Sequence, residues 1–163
     1  MIIVTDNREQ DAYTFEGKDC EVVPGSLMTG DYSLLHLEDK VSVERKSLPD
    51  LVACLVGAGR ERFERELARA RGYDCFSVII EAHFTELAAG QYRSKMNAHS
   101  ACQSVLTFQT RYGVPFFFAG SRKAGEYVTF SILSKYLREA ETKYKRIVLA
   151  HGGEAGSSAP ALQ

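Results

Sequence analysis

Short apolar runs separated by polar turns dominate the first fifty residues of the chain. The runs are rich in β-branched residues and predict four strands, at residues 2–4, 21–23, 32–35 and 41–46. Pro24-Gly25 follows the second run and Gly30-Asp31 precedes the third, and these residue types commonly mark turns. The pattern therefore predicts that the chain begins with a group of β-strands.

The spacing of apolar residues becomes helical after residue 46. Ser47 has the residue type of a helix N-cap, Pro49 suits the first turn, and Asp50 stands three residues after the cap. The glycines of residues 57–59 predict the end of this helix.

Three longer helices and two further strands follow. Periodic apolar positions predict helices over residues 60–71, 95–112 and 124–144, and continuous apolar runs predict buried strands over residues 76–80 and 114–118. Strands followed by alternating helices and strands predict one α/β domain over residues 1–150, with a central mixed sheet flanked by helices. Residues 151–163 are small, polar and rich in Gly and Ser, which predicts a disordered tail.

Composition is that of an ordinary globular domain. The chain has 163 residues, of which 45% are hydrophobic and 25% are charged, and no apolar run is long enough to cross a membrane, so no membrane association is expected. Its four cysteines are widely spaced, without a Cys-x-x-Cys pair. This spacing argues against a zinc site and indicates reduced thiols in the cytoplasm.

The net charge of −1 conceals an uneven distribution. Residues 1–50 hold five basic and eleven acidic residues, whereas residues 121–146 hold seven basic and three acidic ones. An acidic segment suits a metal ion and a basic segment suits phosphates. Arg122 and Lys123, at the start of the basic segment, are therefore candidate DNA-binding residues, although charge runs on helices are often only solvated faces.

Glu44 and Lys46 lie two apart in a predicted strand, so their side chains share one face while Arg45 points to the other. A carboxylate beside an amine suits phosphodiester cleavage, because the carboxylate helps to hold a divalent cation and the lysine orients water or offsets charge on the phosphate. Asp31 stands at a strand start, and the intervening residues allow a hairpin that brings it to Glu44. Asp31 and Glu44 are thus the candidate metal ligands.

Three motifs in sequence order resemble those of a known family. VERKSLPDL at residues 43–51 is similar to the VERKxxxDL signature of the XPF/Hef-type structure-specific endonucleases, DNRE at residues 6–9 to their DxRE motif, and GDY at residues 30–32 to their GDY motif. Arg62-Phe63 and the apolar strand ending in Glu81 fit the same family, and the resemblance extends over roughly residues 1–140.

The resemblance implies a restriction-endonuclease-like PD-(D/E)XK fold in three layers, Mg²⁺ or Mn²⁺ as cofactor, and cleavage of flapped, forked or branched double-stranded DNA in repair or recombination. It also implies catalytic-site roles beyond Asp31, Glu44 and Lys46, for Asp6, Arg8, Glu9, Arg45 and Asp50, and a DNA contact by Arg62. Glu66 stands where the family often has Gln. The helix-hairpin-helix module that usually follows this domain has no counterpart in these residues, which leaves the preferred DNA shape open.

Several alternatives accompany these expectations. Asp50 can serve only as a capping residue, and Arg45 needs a partner, for which Asp50 or Glu9 is the candidate. The chain as a whole can be a catalytically silent DNA-binding or partner-docking module, or an unrelated α/β protein with a chance Glu-Arg-Lys. A homodimer through the C-terminal helices is also expected, because the last helix carries more apolar residues than one face needs: Tyr127, Val128, Phe130, Ile132, Leu133, Tyr136 and Leu137.

Overall fold

Six strands form one mixed sheet in the computed structural model of this chain, which describes residues 1–152. The strands are β1 (Ile2–Asp6), β2 (Glu21–Gly25), β3 (Tyr32–Leu34), β4 (Val41–Lys46), β5 (Cys75–Ile80) and β6 (Phe116–Phe118), in the order β2-β1-β3-β4-β5-β6. β3 is antiparallel to both of its neighbours, and the other pairs are parallel. The carboxyl ends of β1, β4 and β5 therefore meet the start of β3 at one edge of the sheet.

Helices cover both faces of the sheet, which confirms the predicted three-layer α/β fold. They are α1 (Leu48–Ala53), α2 (Gly57–Ala70), α3 (Phe84–Ala88), α4 (Ala98–Tyr112) and α5 (Arg122–Ala150). Phe63 of α2 and Phe108 of α4 belong to the hydrophobic core on one face. Leu133 of α5 belongs to the core on the other face, with Ile3 and Val43 of the sheet.

Residues 57–59 do not end the first helix, as the sequence predicted. α1 ends at Ala53, and Gly57 begins α2. Gly59 lies so close to α1 that a Cβ atom on it would stand 2.2 Å from the carbonyl oxygen of Ala53. This glycine is needed for the close approach of two helices rather than as a helix terminator.

The edge strands also differ from the prediction. β2 continues through Pro24 to Gly25, which is possible because an edge strand can lack one ladder donor. The last strand is not buried on both faces: β6 has only three residues, it is an edge strand, and Phe117 is 44% exposed.

The helices α3, α4 and α5 were predicted incompletely. α3 was missed, although the side chain of Glu86 accepts from the backbone N–H of His83 at 2.7 Å, a capping interaction that marks its start. α4 begins three residues later than predicted, because the Oδ1 of Asn97 caps it by accepting from Ser100 N–H. α5 continues past residue 144 to Ala150.

The predicted tail of residues 151–163 lies mostly outside the described residues. His151 and Gly152 form a turn after α5, and residues 153–163 are not described. Over residues 1–152, no helix has the length and apolar character needed to cross a membrane.

Candidate active site

Five acids and four arginines line one cavity of about 330 Å³ at the edge where β1 and β4 end and β3 begins. The acids lie near the strand ends and on α2, and all the arginines except Arg8 belong to α2. The cavity therefore combines carboxylates with cations that could meet phosphates. Its charged residues are Asp6, Arg8, Glu9, Asp31, Glu44, Arg62, Arg65, Glu66 and Arg69.

Asp31 is fixed by the backbone on both sides. Its N–H donates to the carbonyl of Val43 at 2.8 Å, and its Oδ2 accepts from the N–H of Arg45 at 2.7 Å. Gly30 before it has φ +86°, and a Cβ atom there would stand 2.1 Å from the Oγ of Ser42, so only glycine fits. Burial, and then the charge of Glu44, raise the pKa of Asp31 far above its ordinary value.

Glu44 and Lys46 share one face of β4, as predicted. The Nζ of Lys46 donates to the Oε1 of Glu44 at 2.5 Å, and the residues are 8% and 7% exposed, respectively. The Nζ also stands 4.7 Å from the ring centre of Phe63. Burial alone would lower the pKa of Lys46, but its neighbours, with the charge of Glu44 the largest contribution among them, together outweigh burial and raise the pKa, so the amine stays protonated.

Glu66 is a member of this cluster that the sequence analysis did not select. It projects from α2 into the same cavity, which Gly30 and Glu44 also line. Burial, and then Glu44, raise its pKa. The sequence offered one indication of this position, because Glu66 lies in the helical turn between the apolar positions Phe63 and Leu67.

The donor chemistry of Asp31, Glu44 and Glu66 fits a hard divalent cation. Burial first, and then the charge of Glu44, raise the pKa of Asp31 and of Glu66. A cation among the three carboxyls would favour their charged forms. The side chains of residues 1–152 form no ready-made group of three His, Cys, Asp or Glu ligands. In this arrangement Glu44 is engaged by Lys46 and Asp31 by the N–H of Arg45.

Asp6 and Arg8 hold the loop at Leu27 in place through hydrogen bonds. The Nε of Arg8 donates to the Oδ1 of Asp6 at 2.7 Å, Asp6 Oδ2 accepts from Leu27 N–H at 2.7 Å, and Arg8 donates to the Leu27 carbonyl at 2.8 Å. Burial alone would raise the pKa of Asp6, but these hydrogen bonds hold it below the ordinary value. Both residues thus border the cavity and position its wall, and their catalytic role stays a prediction.

Arg45 lies on the opposite face of β4, where it joins a separate ion-pair network. Its guanidinium stands 2.9 Å from Glu81, 3.0 Å from Asp11 and 3.6 Å from Glu9. The predicted partner Glu9 is therefore confirmed, whereas the predicted partner Asp50 is wrong. Asp50 lies at the start of α1, where it is bonded to Ser47 instead.

Asp50 itself takes part in the cap of α1. The Oγ of Ser47 donates to the Oδ2 of Asp50 at 2.5 Å and accepts from the N–H of Asp50 at 3.3 Å. Asp50 is exposed and does not line the cavity. The capping interpretation describes its contacts, and a direct role near a metal stays a prediction.

Arg122 and Lys123, at the start of α5, differ in their surroundings. Arg122 donates to the carbonyls of Asp11 and Ala12 and lies 3.3 Å from Glu81, so it closes the Arg45 network. Lys123 is exposed and forms no ion pair within the described part of the chain. DNA binding by either residue stays a prediction.

Comparison with known proteins gives a family and a fold. The sequence profile of the family described as "ERCC4 domain" matches residues 5–130. XPF from Aeropyrum pernix has a similar structure, with a TM-score of 0.68 and 22% identity over 96% of this chain and 76% of that one. XPF from Aeropyrum pernix in complex with DNA gives a TM-score of 0.65 and 23% identity over 85% of this chain and 66% of that one. No curated protein sequence matches. At these identities the structural likeness shows a shared fold.

Proposed function

Because this chain belongs to the ERCC4 domain family, which confirms the XPF-type resemblance, we propose that it is a divalent-metal-dependent endonuclease acting on branched, flapped or forked DNA. One observation carries the proposal above the others. Asp31 and Glu44 line a cavity that exposed arginines also line, and the buried amine of Lys46 donates to the buried carboxylate of Glu44. Burying a charged group costs free energy. Buried groups with perturbed pKa values are concentrated at functional sites.

The cofactor in this proposal is Mg²⁺ or Mn²⁺, held by Asp31 and Glu44 with Glu66 beside them. Carboxylate oxygens are the donors that these hard cations prefer. When bound, the cation would stabilise negative charge on the phosphate under attack as a Lewis acid.

The protein side chains have distinct tasks in the proposed reaction. Lys46 keeps its proton and stands against Glu44, so it can orient the attacking water or offset the charge that develops on the phosphate. Arg62 and Arg65 are exposed at the cavity. They suit the neighbouring phosphates of the DNA strand, because a guanidinium can donate two parallel hydrogen bonds to the oxygens of one phosphate. Negative charge within the cavity and positive charge on α2 suit a cation and a phosphate backbone, respectively.

DNA as the ligand is supported by the structural neighbour that was solved in complex with DNA. A catalytically silent DNA-binding or partner-docking module is the alternative. Such a module would need the arginines of α2 but would have no use for a cavity that gathers Asp31, Glu44 and Glu66. We further propose a cytoplasmic role in DNA repair or recombination, and a homodimer that forms through α5.

A panel of labelled DNAs tests the proposed activity. Flap, fork, nicked and four-way-junction substrates and a continuous duplex of matched sequence are incubated with the protein and Mg²⁺, Mn²⁺ or EDTA. The proposal expects cleavage of at least one branched substrate in Mg²⁺ or Mn²⁺, and none in EDTA. Binding to DNA without cleavage in either metal would instead support the silent module.

A further inference from the structure

Met28 is exposed at the rim of the active-site cavity, although its neighbours in sequence are buried. Its exposed fraction is 78%, the largest among the large hydrophobic residues of the described chain, whereas Leu27 and Thr29 are 5% and 2% exposed. Met28 is also the one apolar side chain that lines this charged cavity. A single exposed apolar residue needs no explanation by itself. The position of Met28 at the rim of a charged cavity, on a backbone that is held in place, does need one.

The segment of residues 26–30, which we name the rim loop, is held by hydrogen bonds at Leu27 and Thr29, on either side of Met28. Leu27 is bound through its N–H and its carbonyl by the Asp6–Arg8 pair. The Oγ1 of Thr29 accepts from the Nε of Arg69 at 2.9 Å, and the Thr29 carbonyl accepts from the Oγ of Ser42 at 2.8 Å. These contacts hold the backbone on both sides of Met28, so its side chain stays exposed at the cavity.

Cations stand along α2 on the same cavity. Arg62, Arg65 and Arg69 are spaced at i, i+3 and i+7, which places them along one side of the helix, and all three are exposed. Arg69 is engaged with the rim loop, whereas Arg62 and Arg65 form no ion pair within the described residues. An apolar tip and two available guanidinium groups therefore border the same acids.

We propose that Met28 is an apolar wedge that packs against an unstacked base next to the scissile phosphate, while Arg62 and Arg65 hold phosphates of the same strand. This inference rests on the proposed function, since it places DNA in the cavity. Phosphate contacts are insensitive to base stacking, whereas an apolar side chain gains contact only where a base step is open, as at a branch or a nick. The wedge thus supplies a preference for branched DNA.

The properties of methionine and of the rim loop suit this role. The thioether is unbranched and polarisable, so it adapts to any base rather than to one. The loop is already ordered, so little conformational entropy is lost when the side chain meets DNA. A protein partner would need a contiguous apolar patch, and the cavity around Met28 is lined by charged residues.

Fluorescence of 2-aminopurine tests the wedge without any need for cleavage. The probe replaces the base next to the branch of a fork or flap DNA, binding is measured in EDTA, and a rise in fluorescence reports unstacking. Met28→Ala is compared with Met28→Leu, which keeps an apolar tip, and with Leu106→Ala, which removes an exposed apolar residue from α4, outside the cavity. Circular dichroism verifies that each variant is folded.

The wedge predicts that the wild-type protein, Met28→Leu and Leu106→Ala raise the fluorescence and that Met28→Ala does not. It also predicts that Met28→Ala binds branched DNA about tenfold more weakly while binding to continuous duplex is little changed. Equal fluorescence and equal affinity in Met28→Ala and Leu106→Ala would overturn the wedge, as would a wild-type protein that binds without unstacking the probe. Unstacking that depends on Met28, in a protein that cuts no substrate, would support the wedge and refute the nuclease proposal.

Discussion

The backbone N–H of Arg45 donates to the Oδ2 of Asp31 at 2.7 Å, so the acid that precedes β3 is tied to the strand that carries Glu44. The Arg45 side chain points to the other face, where it binds Glu81. One residue therefore aligns the two candidate metal ligands through its backbone and anchors their strand through its guanidinium. The orientation of Asp31 depends on the register of β3 against β4 more than on any side-chain partner.

Crowding of Glu66 against Glu44 predicts that the metal-free protein is under strain. Glu66→Gln removes one of the crowded charges, keeps the shape, and leaves an amide that can donate to Glu44. The free energy of unfolding of the metal-free protein should rise, on the order of 1 kcal/mol, in urea denaturation followed by circular dichroism. Glu61→Gln, at an exposed position of the same helix that does not line the cavity, is the matched control.

The same variant should weaken metal binding. In isothermal titration with Mg²⁺ or Mn²⁺, Glu66→Gln should bind the cation more weakly than the wild-type protein, because the site has lost a negative charge. A variant that is less stable than the wild-type protein, with unchanged metal affinity, would show that Glu66 is an ordinary structural residue.

The sequence predicted which strand residues lie together better than it predicted the boundaries of the elements. Alternation along β4 placed Glu44 and Lys46 on one face, and the hairpin brought Asp31 to them, because side-chain direction in a strand is a local property. The interpretation of Gly59 as a helix end was wrong because a glycine required by close helix packing looks the same in the sequence as one that ends a helix. Only the tertiary contacts distinguish the two. Glu66 was missed although it lies beside the apolar positions Phe63 and Leu67 of α2, because that spacing does not show which neighbouring acid the tertiary packing buries.

DNA binding by the start of α5 should differ between its two basic residues. Lys123→Ala should reduce the slope of log affinity against log salt by about 0.7–0.9 if Lys123 neutralises one phosphate. Arg122 is already held by Asp11 and Glu81, so Arg122→Ala should lower the free energy of unfolding, on the order of 1 kcal/mol, with little change in slope. The slopes are measured by fluorescence anisotropy over a salt series.

A reduced salt slope in Arg122→Ala, with an unchanged free energy of unfolding, would contradict the structural role of Arg122 and show that it contacts DNA. An unchanged slope in both variants would exclude phosphate contacts by either residue. Lys18→Ala, which removes a lysine stacked near the rings of Tyr127 and Phe130 on α5, controls for the simple loss of positive charge.

Dimerisation through α5 should depend on its C-terminal end. Leu133 is fully buried in the domain's own core, and the residues around it are half-buried, so the middle of the helix has little apolar surface left. Tyr144, Ile147 and Leu149 are 68%, 50% and 64% exposed. An interface built on them should be lost when Tyr144 and Ile147 are both changed to lysine.

Light scattering over a concentration range measures this. We expect a dimer mass for the wild-type protein and for Leu106→Lys, and a monomer mass for the double variant. A wild-type monomer at high micromolar concentration would remove the dimer proposal and leave the end of α5 without an explained partner.

Cleavage of branched DNA by Asp31→Asn and Glu44→Gln decides whether Asp31 and Glu44 hold the catalytic metal. Each change removes one ligand charge with little change of shape, and Asp39→Asn, at an acid that is 75% exposed and does not line the cavity, is the matched control. We expect cleavage in Mg²⁺ to fall by at least about 100-fold in both site variants, while their folding and DNA binding in EDTA are retained and the control cuts normally. Cleavage by Asp31→Asn at close to the wild-type rate would contradict it.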